Sequence, residues 1–176
     1  MDQDEIIWFY DETGEKSKPE HQFLNNYEPC EFLADGDFKY TSTEHYYQAH
    51  KFSESNDPEL DGYFNEVREQ GTADKAKKLA RKYQKSEKFN NEVWETRKDN
   101  VMRKALVYKF SQNMDLLDRL VKTGNARLSE ESKRDFYWGG LMEGSKNMLG
   151  IMLMELRDNY VKEGKVFLEG SGLEKI

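Results

Sequence analysis

Apolar residues return at helical spacing for most of the distance from Leu60 to Tyr160, and this periodicity commits the chain to a mainly helical fold. Leu60, Tyr63, Phe64 and Val67 form one stripe. The pair Asp57-Pro58 supplies a cap and a first-turn proline for it, and Gly71 a stop. Ala76, Leu79, Ala80 and Tyr83 form a second stripe over Ala73 to Tyr83, and the lysines among them read as its solvated face. Val93, Trp94, Val101, Met102, Ala105, Leu106 and Phe110 mark a long helix from Asn91 to Phe110. Asn113 is placed to cap a short helix with Leu116, Leu117, Leu120 and Val121, closed by Gly124. Met148, Leu149, Met152, Leu153, Leu156 and Tyr160 mark the last helix, from Asn147 to Tyr160, where methionine reads as core filler.

Strand signals are confined to the start of the chain. Ile6 to Tyr10 is branched and aromatic. Glu31 to Ala34 and Phe38 to Tyr40 flank Asp35-Gly36, a hairpin signal. Asp11 to Glu20 is polar, holds Gly14 and Pro19, and reads as a loop. A length of 176 residues suits one core. The expected fold is therefore α+β, mainly α-helical: a single domain over 1–162 with a small N-terminal β-portion, then a loosely ordered C-terminal tail over 163–176.

Charge and composition exclude several functions. The net charge is −7, so the chain lacks the basic surface that non-specific nucleic-acid binding needs. Cys30 is the one cysteine, which excludes an intramolecular disulfide and a cysteine-cluster zinc site. His21, His45 and His50 form no recognisable ligand set, so no metal is expected. No run of eighteen apolar residues occurs, and Met1 to Glu5 is acidic where a secretory leader would be basic. A cytoplasmic protein with no membrane association is the expectation.

Two stretches are not explained by packing. In Thr41 to Phe52, Thr41 and Glu44 have capping-box spacing, and Glu44, Gln48 and Lys51 recur at i, i+4 and i+7 along one helical face. Glu44 and Lys51 then lie about 10 Å apart along the axis at 1.5 Å per residue. The second stretch, Leu128 to Ser145, is polar, then aromatic, then glycine-rich: Asp135-Phe-Tyr-Trp-Gly-Gly140, with Gly144 beyond. It reads as a functional loop running into a helix that starts at about Ser145, a geometry suited to a phosphate.

Glu44-His-Tyr-Tyr-Gln-Ala-His-Lys51, Val101-Met102, Lys109-Phe110, Leu149-Gly150 and Leu153-Met154 together resemble the NADAR family of YbiA-like proteins. Phe23-Leu-Asn-Asn-Tyr-Glu-Pro29 is similar to that family's early Leu-Ser-Asn-Phe-Tyr-Pro segment, and Asp135-x-x-Trp138-Gly139 with Asn147-x-Leu149-Gly150 to its closing signature. The likeness runs in order from about Phe9 to about Arg157. It implies an N-glycosidase with no metal or redox cofactor. The implied substrate is a small ribosylated amine: a phosphoribosylamino pyrimidine intermediate of riboflavin synthesis, or ADP-ribosylated guanine, free or in nucleic acid.

The residue types suit that chemistry. Breaking a ribosyl C–N bond builds positive charge on the anomeric carbon and negative charge on the leaving nitrogen. Glu44 and Asp135 are the candidate acid and base, with both assignments open. Lys51 offers an imine route through the ring-opened sugar. Asn26, Tyr47, Gln48, Trp94, Trp138, Gly139 and Asn147 are the candidate substrate-binding residues, with Trp94 or Trp138 stacking on the base. Plainer readings compete: Glu44 as a capping carboxylate, Trp94 as core, Asp135 as a turn cap, Asn147 as a helix cap, Asn26 bonding its own loop. His45 and His50 read as satisfied by backbone. At the level of function, the competing readings are a non-catalytic ADP-ribose or nucleotide-binding module and an interaction protein with a worn site.

Overall fold

The computed structural model describes residues 5–10, 13–53 and 56–176. Met1 to Asp4 of the acidic start, and Asp11 and Glu12 of the expected loop, lie outside the described residues. Among the described residues the elements run β1 (Ile6–Phe9), a 3-10 turn (Pro19–Leu24), β2 (Phe32–Ala34), β3 (Phe38–Tyr40) and α1 (Thr43–Ala49). A second 3-10 turn (His50–Phe52), α2 (Pro58–Arg68), α3 (Ala73–Tyr83) and α4 (Asn91–Gln112) follow. The chain then runs through α5 (Met114–Lys122), β4 (Arg127–Glu130) and α6 (Met148–Glu163). The fold is α+β and mainly helical, as the periodicity requires. Among the described residues, no helix is long and apolar enough to cross a membrane.

The chain divides into two compact units. The first comprises Met1–Glu28, Phe110–Glu169 and Leu173–Ile176. In it β1 pairs in parallel with β4, from Ile6 opposite Arg127 to Phe9 opposite Glu130. Helix α6 packs on β4 and against α5. Phe9, Leu24, Leu117, Leu120, Leu128, Leu149, Met152, Leu153 and Leu156 are buried there.

The second unit comprises Pro29–Lys109 and Gly170–Gly172. Its hairpin pairs Phe32 with Tyr40 and Ala34 with Phe38, turning through Asp35, Gly36 and Asp37, all with positive φ. Ala49, Phe52, Leu60, Val67, Ala76 and Ala80 form a core flanked by Tyr63, Phe64, Leu79, Tyr83 and Phe89. Helices α2 and α3 start where short polar side chains serve the orphan N–H groups. The Asp57 carboxylate accepts from the Glu59 N–H, with Pro58 behind it, and the Thr72 hydroxyl accepts from the Lys75 N–H.

Four expectations are corrected. The cap of α1 is Ser42, whose Oγ accepts from the His45 N–H; Glu44 is therefore not the third residue of a capping box. The helical face expected to run on through Lys51 gives way at His50 to a 3-10 turn, so Lys51 leaves the α-helical register of Glu44 and Gln48. The expected loop after Leu128 begins as strand β4; its partner β1 is distant in sequence, and a four-residue strand carries too little pattern to announce itself. The closing segment is not loose: Val166, Phe167 and Leu168 are buried, and the Val166 N–H donates to the Ile176 carbonyl at 2.7 Å.

Candidate active site

The 3-10 turn after α1 is held by His50. Its Nδ1 lies 2.8 Å from the Tyr46 carbonyl and its Nε2 3.0 Å from Asp35 Oδ2. The expected backbone bond is thus joined by a contact to a carboxylate. Burial by itself would raise the Asp35 carboxyl, but the hydrogen bond and charge of His50 bring it below the usual carboxylate range. His45 is likewise held, with Nε2 2.8 Å from the Gln70 carbonyl. Both imidazoles therefore serve to anchor the short helix and its exit.

That anchored segment presents Glu44, Tyr47, Gln48 and Lys51, and α4 brings Trp94 to them. Gln48 Nε2 donates to Glu44 Oε1 at 2.8 Å, with both side chains buried. A carboxylate oxygen can only accept unless protonated, so the amide nitrogen faces it and Gln48 Oε1 faces away. That oxygen is buried and has no hydrogen-bond partner among the described residues. An unmet buried acceptor is unfavourable by about 1–3 kcal/mol, and a ligand N–H or O–H would relieve it. Lys77 Nζ of α3 lies 4.0 Å from Glu44 Oε1.

Lys51 Nζ donates to Gln84 Oε1 at 3.0 Å. The amine also lies 5.7 Å from the centre of the Tyr47 ring and 5.8 Å from that of Trp94. Those two rings meet edge to face at 5.0 Å. Trp94 is buried, yet its face serves the amine as well as the core. Burial pushes the Lys51 amine down to about 8; Glu44 opposes that fall, while Lys77 and Arg81 add to it. An amine with that pKa is uncharged in about one molecule in ten at pH 7, against fewer than about one in a thousand for an ordinary lysine.

The first unit holds the other candidates. Asp135 Oδ1 accepts from the N–H groups of Tyr137 at 3.0 Å and Trp138 at 2.8 Å, so it ties the aromatic turn. Trp138 is half-buried and meets Tyr137 edge to face at 5.1 Å. Asn147 has a left-handed backbone and starts α6, but its side chain makes no cap bond. It bridges to β4 instead, with Oδ1 accepting from the Glu130 N–H at 3.3 Å and Nδ2 donating to the Leu128 carbonyl at 2.9 Å. A Cβ at Gly139 would stand 2.7 Å from the Asp135 carbonyl, and one at Gly140 2.3 Å from Ser129 Oγ. These two glycines allow close packing of the turn on its neighbours. Asn26 is buried beside Asn25, whose Oδ1 accepts from the Tyr27 N–H at 3.1 Å.

Four contributors were not among the sequence candidates. Lys77 and Arg81 on α3 and Gln84 at its cap recur at i, i+4 and i+7, a spacing visible in a stretch of which only the lysines were read, as a solvated face. The third of them holds Lys51. In the first unit, buried Glu131 accepts N–H groups from Glu15 at 2.9 Å and from Lys16 and Ser17 at 2.8 Å each. No local pattern could signal that anchor.

A short helix bearing a buried Glu–Gln pair, followed by an aromatic-caged lysine on a 3-10 turn, thus lies in a mainly helical α+β chain. The NADAR domain model matches residues 8–160, and the chain belongs to that family. The chain is 35% identical over 162 residues to the N-glycosidase YbiA of Escherichia coli (strain K12), covering 92% of each protein. It is 35% identical over 153 residues to the riboflavin biosynthesis protein VVA0006 of Vibrio vulnificus, covering 86% of this chain and 38% of that one. The NMR structure of E. coli YbiA superposes with a TM-score of 0.74 at 34% identity, covering 93% of this chain and 89% of that one.

Proposed function

We propose that the chain is an N-glycosidase that hydrolyses the C–N bond between ribose and an amine, with Glu44 and Lys51 at the reacting carbon. The observation that carries this reading is the amine of Lys51, pushed down to about 8 within the Tyr47–Trp94 pair, on the segment that buries Glu44. Family membership supports it, since relatives carry N-glycosidase in their names.

A ribosylamine opens its ring to leave C1 doubly bonded to the departing amine. Uncharged Lys51 adds to C1, and the bond from C1 to the departing amine breaks. Both protons of the Lys51 amine pass in turn through Glu44 to the departing nitrogen, which leaves as the neutral amine. Water then adds to the Lys51–C1 imine, releasing the sugar aldehyde and free lysine. Gln48 Oε1 accepts a hydroxyl or N–H of the substrate, and Trp94 offers an aromatic edge or face to it.

The substrate class is a phosphoribosylamino pyrimidine or ADP-ribosylated guanine. The similarity to a protein named for riboflavin biosynthesis favours the first. The test incubates the protein with each compound, follows sugar release, and adds borohydride to trap an adduct on the peptide that holds Lys51. Glu44→Gln should lower kcat by about 100-fold or more. Asp135→Asn and Trp138→Ala test the remaining assigned side chains, with Asn26, Gly139 and Asn147, in the same assay. Tight binding of ADP-ribose with no turnover of either compound by folded protein would replace the enzyme reading with that of a binding module.

A further inference from the structure

We propose that Gln84 is a positioning residue for Lys51: a neutral acceptor that aims the amine while adding no negative charge beside it. The proposal rests on the reading of Lys51 as the attacking amine. It is carried by the 3.0 Å bond from Lys51 Nζ to Gln84 Oε1 and by the place of Gln84 at the end of α3.

An aromatic pair restricts where the amine can lie, but it does not choose a direction for its lone pair. One directional acceptor does. Gln84 is well built for that task because its backbone, not its side chain, finishes the helix: its N–H donates to the carbonyls of Ala80 and Lys82. The side chain is left to serve Lys51.

The choice of an amide matters chemically. A carboxylate at the same point would make a charge-assisted bond to the ammonium and hold the proton on it. The groups whose charge reaches Lys51 are Glu44 on α1, Lys77 and Arg81 on α3, and Glu95 on α4. Two acids and two bases leave the local charge nearly balanced, so one added charge at the hydrogen-bond position would tip it. Gln84 therefore fixes geometry and leaves the amine free to lose its proton.

The experiment uses the full chain with Gln84→Glu and Gln84→Leu, each checked for folding by thermal melting. The titration of Lys51 is read by the pH dependence of its reductive methylation, mapped by mass spectrometry, and turnover is read as kcat/KM against pH. Gln84→Glu should move the Lys51 midpoint up by about one pH unit or more, and the rising acidic limb of kcat/KM with it. Gln84→Leu, with no charge change, should lower kcat by about tenfold with a smaller change in KM. A Lys51 midpoint in Gln84→Glu that matches the parent would overturn the assignment, as would a Gln84→Leu protein with parental kcat. If the parent turns over no ribosylamine yet the Gln84→Glu midpoint rises, the enzyme reading falls and the Gln84–Lys51 pairing stands.

Discussion

Replacing Lys51 by methionine should abolish turnover and stabilise the fold. Methionine keeps the length of the side chain and its contact with Tyr47 and Trp94, but removes a charge that the site holds unfavourably. The Lys51 amine falls from 10.5 to about 8 on folding, mainly through burial. At about 1.36 kcal/mol per pH unit, the charged form is destabilised by roughly 3 kcal/mol in the folded chain. Losing the bond to Gln84 offsets about 1 kcal/mol of the gain. A net gain of roughly 2 kcal/mol at pH 7 would raise Tm by about 4–8 °C for a chain of this size.

The sign with pH follows from linkage. The folded pKa lies below the unfolded one, so between about 8 and 10.5 the unfolded chain binds more protons. Parent stability should therefore rise relative to Lys51→Met as pH climbs through that window. Below pH 8 both states are protonated and the penalty is fully present. Melting of parent and Lys51→Met at pH 7 and at pH 9.5 measures this directly. A variant less stable than the parent at pH 7, or a gap unchanged at pH 9.5, would refute the account of the site as one that stores charge strain for chemistry.

Other substitutions test separate parts of the structure. Glu131→Gln keeps the shape but turns an amide group toward one of the backbone N–H groups of residues 15–17; it should destabilise by about 2–4 kcal/mol in denaturant melts, and a change under about 0.5 kcal/mol would contradict the anchor. Gly150→Ala places a Cβ 2.2 Å from the Leu128 carbonyl and should destabilise by about 2 kcal/mol or more; wild-type melting would show that α6 can shift off β4 freely. Gln48→Leu removes the unmet acceptor and should raise KM for a ribosylated amine by about tenfold or more, whereas an unchanged KM would take Gln48 out of substrate binding.

Much of the fold was legible in the chain because its determinants are local. Asp57-Pro58 sits at a real helix start, Asp35-Gly36 at a real turn, and every long apolar stripe at a real helix. The family likeness was legible too, and Glu44 and Gln48 do share a helix, whereas Lys51 follows on the 3-10 turn. The cap of that helix was misread by one residue, because Thr41 and Ser42 are both competent and only the backbone at Ser42, extended before the helix, decides between them.

What the residues alone determined is therefore helical patterning, turn chemistry and a set of candidate groups. What only the tertiary structure decided is what those groups touch. The strand β4, the carboxylate of Glu131 in its backbone loop and the buried residues Val166 to Leu168 depend on partners distant in sequence. Gln84 looked like one more polar residue at the end of a lysine-rich helix, yet it holds the amine of Lys51. Hydrogen bonds and burial between distant segments leave no periodic trace, since they require only one competent atom at the right point in space.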